Sequence, residues 1–161
     1  MVMLGDDVLP PSVVALERHA SQPIDAALSG AKYSLAGMSA ARQSLGLEGE
    51  RVAARWLRTR GWRIVAHRFR SGRRDIDLVV ERAGTVAFVE VKARRADCHG
   101  DPVEAVNWRK QRELGRSAAV WVERHGSPGL AYRFDVIGVL FTPAGVRVRH
   151  VEQAFSVQNL P

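Results

Sequence analysis

The chain has 161 residues and a mass of 17.8 kDa, which suits one folded domain and is too short for two separate hydrophobic cores. Hydrophobic residues make up 46% and charged residues 25%, which excludes wholesale disorder, and no run approaches the ~20 apolar residues of a membrane-spanning helix. The net charge of +7 favours a polyanionic partner, and the single cysteine excludes an internal disulfide and fits a cytoplasmic protein.

Residues 1–40 are predicted to form a disordered extension, and residues 41–161 to form the folded domain. The first segment carries a net charge of −2, whereas the rest of the chain carries +9. Prolines interrupt the segment, and no helical or strand periodicity persists through it. Its early acidic pair and these prolines are not typical of a secretory signal, so export is not expected.

The rest of the chain predicts the order α-β-β-β-α-β-β. The first helix consists of good helix formers and ends before a glycine. Polar turns separate the runs that follow, which alternate as strands do. The predicted helices cover residues 41–60 and 103–124, and the predicted strands cover residues 62–70, 75–81, 85–93, 131–141 and 145–151. The order indicates an α/β domain.

Two carboxylates are expected to face each other across the second and third strands of this order. If the turn between them is centred on Ala83-Gly84, Asp77 lies directly opposite Glu90. A three-residue or five-residue loop would separate the pair. Opposed carboxylates repel each other, so this register requires a cation or a shared proton.

Strand alternation assigns the neighbours of these carboxylates to faces of the sheet. It places Glu90 and Lys92 on one face of their strand, and it places Ile76, Leu78 and Val80 together on one face of the preceding strand.

The apolar surroundings favour a metal site over a solvated surface pair. Asp77 could be a solvated residue at a strand end, and Glu90 could belong to an ordinary polar alternation. The run Val86–Val91, however, is typical of a buried central strand, in which an uncompensated carboxylate costs several kcal/mol. Two carboxylates with room for water suit Mg²⁺, or Mn²⁺ in its place.

A run of arginines forms a predicted basic patch. Between residues 51 and 74 there are nine arginines and no acidic residue. A solvated helix face is the ordinary explanation for such a run, but soluble surfaces usually mix both signs. Seven arginines and one lysine are therefore predicted to contact nucleic acid: Arg51, Arg55, Arg58, Arg68, Arg70, Arg73, Arg74 and Lys110.

Several motifs together resemble a known family. Asp77 followed by Glu90-Val91-Lys92 resembles the PD-(D/E)xK nuclease signature, and the element order matches the core of that superfamily. The wider set resembles the uncharacterised YraN-like family, which is predicted to be endonuclease-like and is distantly similar to archaeal Holliday junction resolvases. The motifs are Gly49-Glu50, Gly61-Trp62, Phe69-Arg70, Asp75-Ile76-Asp77-Leu78, Phe88–Lys92, Ala105-Val106, Lys110 and Arg133–Val136.

The resemblance implies a fold and roles for several residues. The fold is restriction-endonuclease-like, with a mixed central sheet flanked by helices. Asp77, Glu90 and the Val91 carbonyl would hold one or two Mg²⁺ ions, while Lys92 would orient the attacking water or stabilise the charge on the phosphate. Glu50 would be an outer or water-mediated ligand.

Alternatives remain for three of these side chains. Lys92 could instead form a salt bridge with Asp75, and Glu50 could pair with an arginine. Lys110 lies on the core-facing line of the second helix, so it either approaches the site or extends its ammonium group to solvent. The family usually has Gly-Glu-Ile-Asp where this chain has Arg74-Asp75-Ile76-Asp77, and Asn-Phe-Arg where it has Arg68-Phe69-Arg70.

The sequence therefore predicts a metal-dependent DNA nuclease, with branched or damaged DNA as candidate substrates. The main alternative is a nucleic-acid-binding module that retains the fold without cutting, and a third reading is an interaction protein for an acidic partner. The sequence does not distinguish DNA from RNA. Junction cleavage would favour a homodimer, since two symmetric cuts suit a two-fold enzyme.

Overall fold

The computed structural model describes residues 6–8, 35–72, 74–96 and 106–156. The described part is an α/β unit in which one mixed sheet carries a helix on each face. The helices are α1 (Leu35–Thr59) and α2 (Trp108–His125). The strands are β1 (Asp6–Val8), β2 (Arg63–Ser71), β3 (Arg74–Arg82), β4 (Thr85–Arg95), β5 (Ala131–Thr142) and β6 (Gly145–Phe155).

The sheet has the strand order β1-β6-β5-β4-β3-β2. All neighbours are antiparallel except β4 and β5, which are parallel and joined through α2. A parallel pair needs such a crossover because its strands cannot be joined by a tight turn. The predicted fold class and the order α-β-β-β-α-β-β are confirmed for the described residues between 35 and 156.

Each helix packs its apolar face on one side of the sheet. On the α1 side, Trp56 and Leu57 join Leu78, Val80 and inward residues of β4 to β6 in one core cluster. On the α2 side, a second cluster contains Leu114, Ala118, Trp121, Phe88 and Phe134. The central strand β4 contributes to both clusters and is buried on both faces, as its apolar run predicted.

The element boundaries differ from the prediction in a few places. α1 begins at Leu35, six residues earlier than expected. α2 begins at Trp108, since the Asn107 side chain accepts a hydrogen bond from the backbone of Lys110 and caps the helix there. Within the predicted extension, Asp6–Val8 pairs with β6, and residues 9–34 lie outside the described part.

Candidate functional site

The pairing of β3 with β4 follows the predicted register. It runs from Arg82 opposite Thr85 to Leu78 opposite Val89, as the turn at Ala83-Gly84 requires. One position further along, the Asp77 carboxylate accepts a hydrogen bond from the backbone N–H of Val91 at 2.7 Å. A side chain thus takes the place of a backbone acceptor, and the two strands bring Asp77 beside Glu90.

The predicted face of Ile76 is wrong. Leu78 and Val80 pack on the α1 side of the sheet, whereas Ile76 packs on the α2 side with Val79. The simple alternation therefore breaks at Asp77. On the neighbouring strand, Arg68 lies between the partners of Leu78 and Ile76 and has a left-handed backbone with φ of 48°. A period-2 pattern does not anticipate a left-handed residue of this kind.

Glu90 is the buried centre of the site, with a relative exposure of 2%. The Lys92 ammonium donates to Glu90 Oε1 at 2.6 Å, and the Lys110 ammonium lies 3.1 Å from Oε2. Lys92 therefore pairs with Glu90 rather than with Asp75, the alternative partner that the sequence suggested. Lys110 approaches the site rather than extending to solvent, because it lies on the sheet-facing side of α2.

Glu50 reaches the site because α1 approaches β4 closely. A Cβ atom added to Gly49 would lie 2.5 Å from the Ala93 Cβ, so only glycine permits this approach. Arg68 Nε lies 3.7 Å from Glu50, and Arg68 Nη2 lies 3.7 Å from Asp75. The guanidinium of Arg68 thus stands between two carboxylates, which matches the alternative in which Glu50 pairs with an arginine.

The electrostatics identify Asp77 as the unusual group. Burial, and then the negative charge of Glu90, raise the pKa of Asp77 to about 7, although the Val91 N–H opposes the rise. Burial also raises the pKa of Glu50 against the opposing effect of Arg68. For Lys110, burial is the largest single influence and lowers the pKa, but the charge and hydrogen bond of Glu90 together with the charges of Asp77 and Asp75 outweigh it, so the net direction is upward.

The donor set matches a hard cation in its chemistry. Among the described residues, no group of three or more His, Cys, Asp and Glu side chains is arranged to hold a metal ion. What the site offers is two carboxylates on neighbouring strands, with Glu50 close enough to influence the pKa of Asp77. One or two carboxylates with several waters is the usual coordination of Mg²⁺. A cation would also relieve the repulsion that raises the pKa of Asp77.

Comparison with known proteins assigns the chain to a family. The profile of an uncharacterised protein family, UPF0102, matches residues 49–139. The chain belongs to the UPF0102 family. A UPF0102 protein of Nocardia farcinica is 44% identical over 102 residues, which cover 63% of this chain and 80% of the relative. A UPF0102 protein of Anaeromyxobacter dehalogenans is 40% identical over 120 residues, which cover 74% of this chain and 90% of the relative.

The UPF0102 match extends from Gly49, where α1 approaches β4, into β5. It includes Glu50, Asp77, Glu90, Lys92 and Lys110, all of which the structure brings together. The family resemblance inferred from the motifs is therefore confirmed. The family description names no activity, so function is argued from the site itself.

The predicted nucleic-acid contacts do not all lie on one exposed surface. Arg51, Arg55 and Arg58 are exposed along α1, and Arg70 is exposed on β2. Arg68 instead lies among the carboxylates of the site. Arg73 lies outside the described residues, and Arg74 begins β3, with no side-chain position described.

A second buried carboxylate lies one strand away from the site. Asp135, on β5, is 1% exposed and accepts hydrogen bonds from Arg133 at 3.0 Å and from the backbone of Gln153 at 2.9 Å. His150 Nε2 lies 2.8 Å from the same carboxylate. Arg133 lies on β5, two residues before Asp135, whereas His150 and Gln153 come from β6, which is irregular near Gln153.

The two tryptophans that begin elements differ. Packing is the ordinary expectation for a tryptophan at the start of an element. Trp62 meets this expectation at 4% exposure, whereas Trp108 does not, since it is 59% exposed. No described helix is both long and apolar enough to cross a bilayer. Cys98 and His99, whose side-chain types can bind metal ions, lie outside the described residues.

Proposed function

We propose that this protein is a metal-dependent nuclease that hydrolyses phosphodiester bonds of DNA, with branched or damaged DNA as the candidate substrates. The observation that carries the proposal is the juxtaposition of Asp77 and Glu90. Asp77 is part-buried beside the fully buried Glu90, and its desolvation together with the charge of Glu90 raises the pKa of Asp77 to about 7, which is unfavourable unless a cation or a proton compensates.

Mg²⁺, or Mn²⁺ in its place, would be held by Asp77, Glu90 and the Val91 carbonyl, with Glu50 in an outer position. The chemistry that such an ion supplies when bound is polarisation of the scissile phosphate and a lowered pKa of a coordinated water. Because Glu90 already has an ammonium group near each oxygen, cation binding would require at least one of these lysines to turn away.

The lysines then become available to the substrate. Lys92 and Lys110 approach Glu90 from different elements, β4 and α2. Either ammonium group can donate to a phosphate oxygen in the partly dehydrated site, where such charge stabilisation is strongest. Arg51, Arg55 and Arg58 on the exposed side of α1 would hold neighbouring phosphates by bidentate contacts.

A non-catalytic nucleic-acid-binding module is the second candidate. The observation in its favour is that Lys92 and Lys110 already compensate the charge of Glu90 without a metal. A protein that only binds nucleic acid would use these pairs as structural contacts. Its exposed arginines would contact the phosphates of the nucleic acid. The homodimer expected for junction cleavage remains a prediction under either function.

The test compares the wild type with Asp77→Asn and Lys92→Ala on labelled linear, flapped and four-way-junction DNA. We expect Mg²⁺- or Mn²⁺-dependent cutting by the wild type and a loss of ~100-fold or more in both variants. Glu81→Gln is the matched control, since it changes a carboxylate four residues along β3 that pairs with Arg63.

Calorimetric titration with Mn²⁺ separates the two candidates. The nuclease requires the wild type to bind the ion and Asp77→Asn to lose that binding. Equal DNA affinity in all proteins, with neither cutting nor Mn²⁺ binding, would instead establish the binding module.

A further inference from the structure

Trp108 is the only large hydrophobic side chain that is exposed among the described residues, at 59% relative exposure. The other three tryptophans, Trp56, Trp62 and Trp121, are buried at 3–4% exposure. Exposure of an indole ring forfeits the stabilisation that its burial would provide. A single exposed apolar side chain is ordinary on a protein surface, so Trp108 becomes a candidate contact for a ligand only through the groups that accompany its ring.

Two guanidinium groups accompany the Trp108 ring. Arg109 Cζ lies 5.5 Å from the ring centroid, and Arg112 Cζ lies 5.7 Å from it. The first turn of α2 contains no acidic residue. An aromatic plane with cations around it suits a partner that combines a flat π system with negative charge, which is the chemistry of a nucleotide.

The same helical turn carries Lys110, which contacts Glu90 in the site. Residues two apart on a helix point in nearly opposite directions, so Lys110 faces the sheet while Trp108 faces solvent. A helix with its side chains is about 10–12 Å across. That width is about three times the ~3.4 Å axial rise per nucleotide of a stacked strand, and an unstacked strand covers it with fewer nucleotides. The ring thus lies within about three nucleotides of a phosphate held at Lys110.

We propose that Trp108 is a stacking platform for an unpaired nucleobase of a DNA strand whose phosphate lies at the Asp77–Glu90 site. The proposal rests on the function proposed above and narrows its substrate class to DNA with a single-stranded segment near the cleaved bond. Bases paired within a duplex are stacked on both faces, so they are not available to an indole ring. Arg109 and Arg112 contact the adjacent phosphates.

The test is tryptophan fluorescence titration in EDTA, where binding is measured without cleavage. The probes are a 12-nucleotide single strand, the blunt duplex of the same sequence, the duplex with a single-stranded flap, and the RNA strand of that sequence. The variants are Trp108→Ala and Trp108→Phe, with Ala119→Gln as an exposed control on α2. Because the other tryptophans are buried, quenching by stacked bases reports on Trp108.

We expect the single strand and the flap to quench the wild-type emission, and the blunt duplex to quench it far less. Trp108→Ala should bind the single strand about 5- to 100-fold more weakly, Trp108→Phe should recover most of that affinity, and Ala119→Gln should match the wild type. Equal affinities of Trp108→Ala and the wild type for the single strand, or stronger quenching by the duplex, would overturn the proposal. Tighter binding and stronger quenching by RNA would overturn the assignment to DNA.

Cleavage assays keep this proposal distinct from the nuclease proposal. Metal-dependent cutting without Trp108 quenching would support the nuclease and overturn the stacking platform. Quenching by the single strand without any cutting would support the platform and contradict the nuclease.

Discussion

Two buried acidic centres lie on neighbouring strands of the same sheet, and they differ in how their charge is compensated. Asp135 has three partners, Arg133, His150 and the backbone of Gln153. Asp77 accepts one backbone hydrogen bond and faces a second carboxylate, Glu90. The partners of each carboxylate, and not its burial, distinguish the two centres.

This contrast shows that burial of a carboxylate does not by itself mark a functional site. At Asp135 the surroundings satisfy the charge, and the group holds β5 and β6 together. At Asp77 the surroundings raise the pKa of the carboxyl to about 7. The first arrangement stabilises the fold, whereas the second lowers stability and is suited to binding a cation.

Removal of Asp135 should have the largest effect on stability. Asp135→Ala leaves Arg133 without its buried partner and the Gln153 N–H without an acceptor, so we expect a loss of ~3–5 kcal/mol in the free energy of unfolding. Urea denaturation measures this, and Glu152→Gln, at the exposed end of the same cluster, is the control. A loss below ~1 kcal/mol would contradict the structural role.

The second prediction concerns pH and Asp77. Because the pKa is raised from 3.8 to about 7, the metal-free folded protein keeps a proton between these values that the unfolded chain has released. Folding stability from this group is therefore fully present below about pH 4 and declines as the pH rises to about 7. Asp77→Asn should remove this decline and stabilise the metal-free protein at pH 7.5 by ~1–3 kcal/mol.

The measurement is urea denaturation in EDTA at several pH values between 4 and 8. The quantity of interest is the difference between Asp77→Asn and the wild type, since other groups titrate in both proteins. Glu81→Gln should show no such pH-dependent difference. A destabilised Asp77→Asn protein at pH 7.5 would make Asp77 resemble Asp135 and would remove the contrast between the two centres.

The close approach of α1 can be tested at Gly49. Gly49→Ala places a Cβ 2.5 Å from the Ala93 Cβ, so α1 must shift, and we expect a loss of ~1–3 kcal/mol. Ala93→Gly in the same chain should recover part of this loss. Gly46→Ala, in the same helix with no atom within 4 Å of the added Cβ, is the control and should stabilise the protein by ~0.5–1 kcal/mol. Equal changes in the free energy of unfolding for Gly49→Ala and Gly46→Ala would mean that α1 is not tightly packed against β4 at Gly49.

The smallest effect is expected on the exposed basic face. Replacing both Arg51 and Arg58 by Ala should lower the slope of log affinity for DNA against log salt by up to ~2, with folding stability changed by less than ~0.5 kcal/mol. Arg63→Gln is the control, since Arg63 already pairs with Glu81. An unchanged slope would remove these arginines from the nucleic-acid interface.

Much of the site could be predicted because it depends on short-range rules. The Ala83-Gly84 turn determined the register that brings Asp77 to Glu90, and the apolar run around Glu90 indicated its burial. The break in alternation at Ile76 could not be predicted, because it accompanies a left-handed residue, Arg68, on the neighbouring strand, which the pattern of β3 does not contain. The exposure of Trp108 follows from where Asn107 caps α2.

The sequence by itself determined the element order, the family and the pairing of β3 with β4, since these follow from local periodicity and motifs along one stretch of chain. Only the tertiary structure decided which partners each charge has. Lys110, on α2, contacts Glu90, and His150, on β6, contacts Asp135. Glu50, on α1, lies close enough to Asp77 to influence its pKa. The physical reason is that electrostatic compensation depends on distances of a few ångströms between residues far apart in sequence, which packing of the helices on the sheet sets.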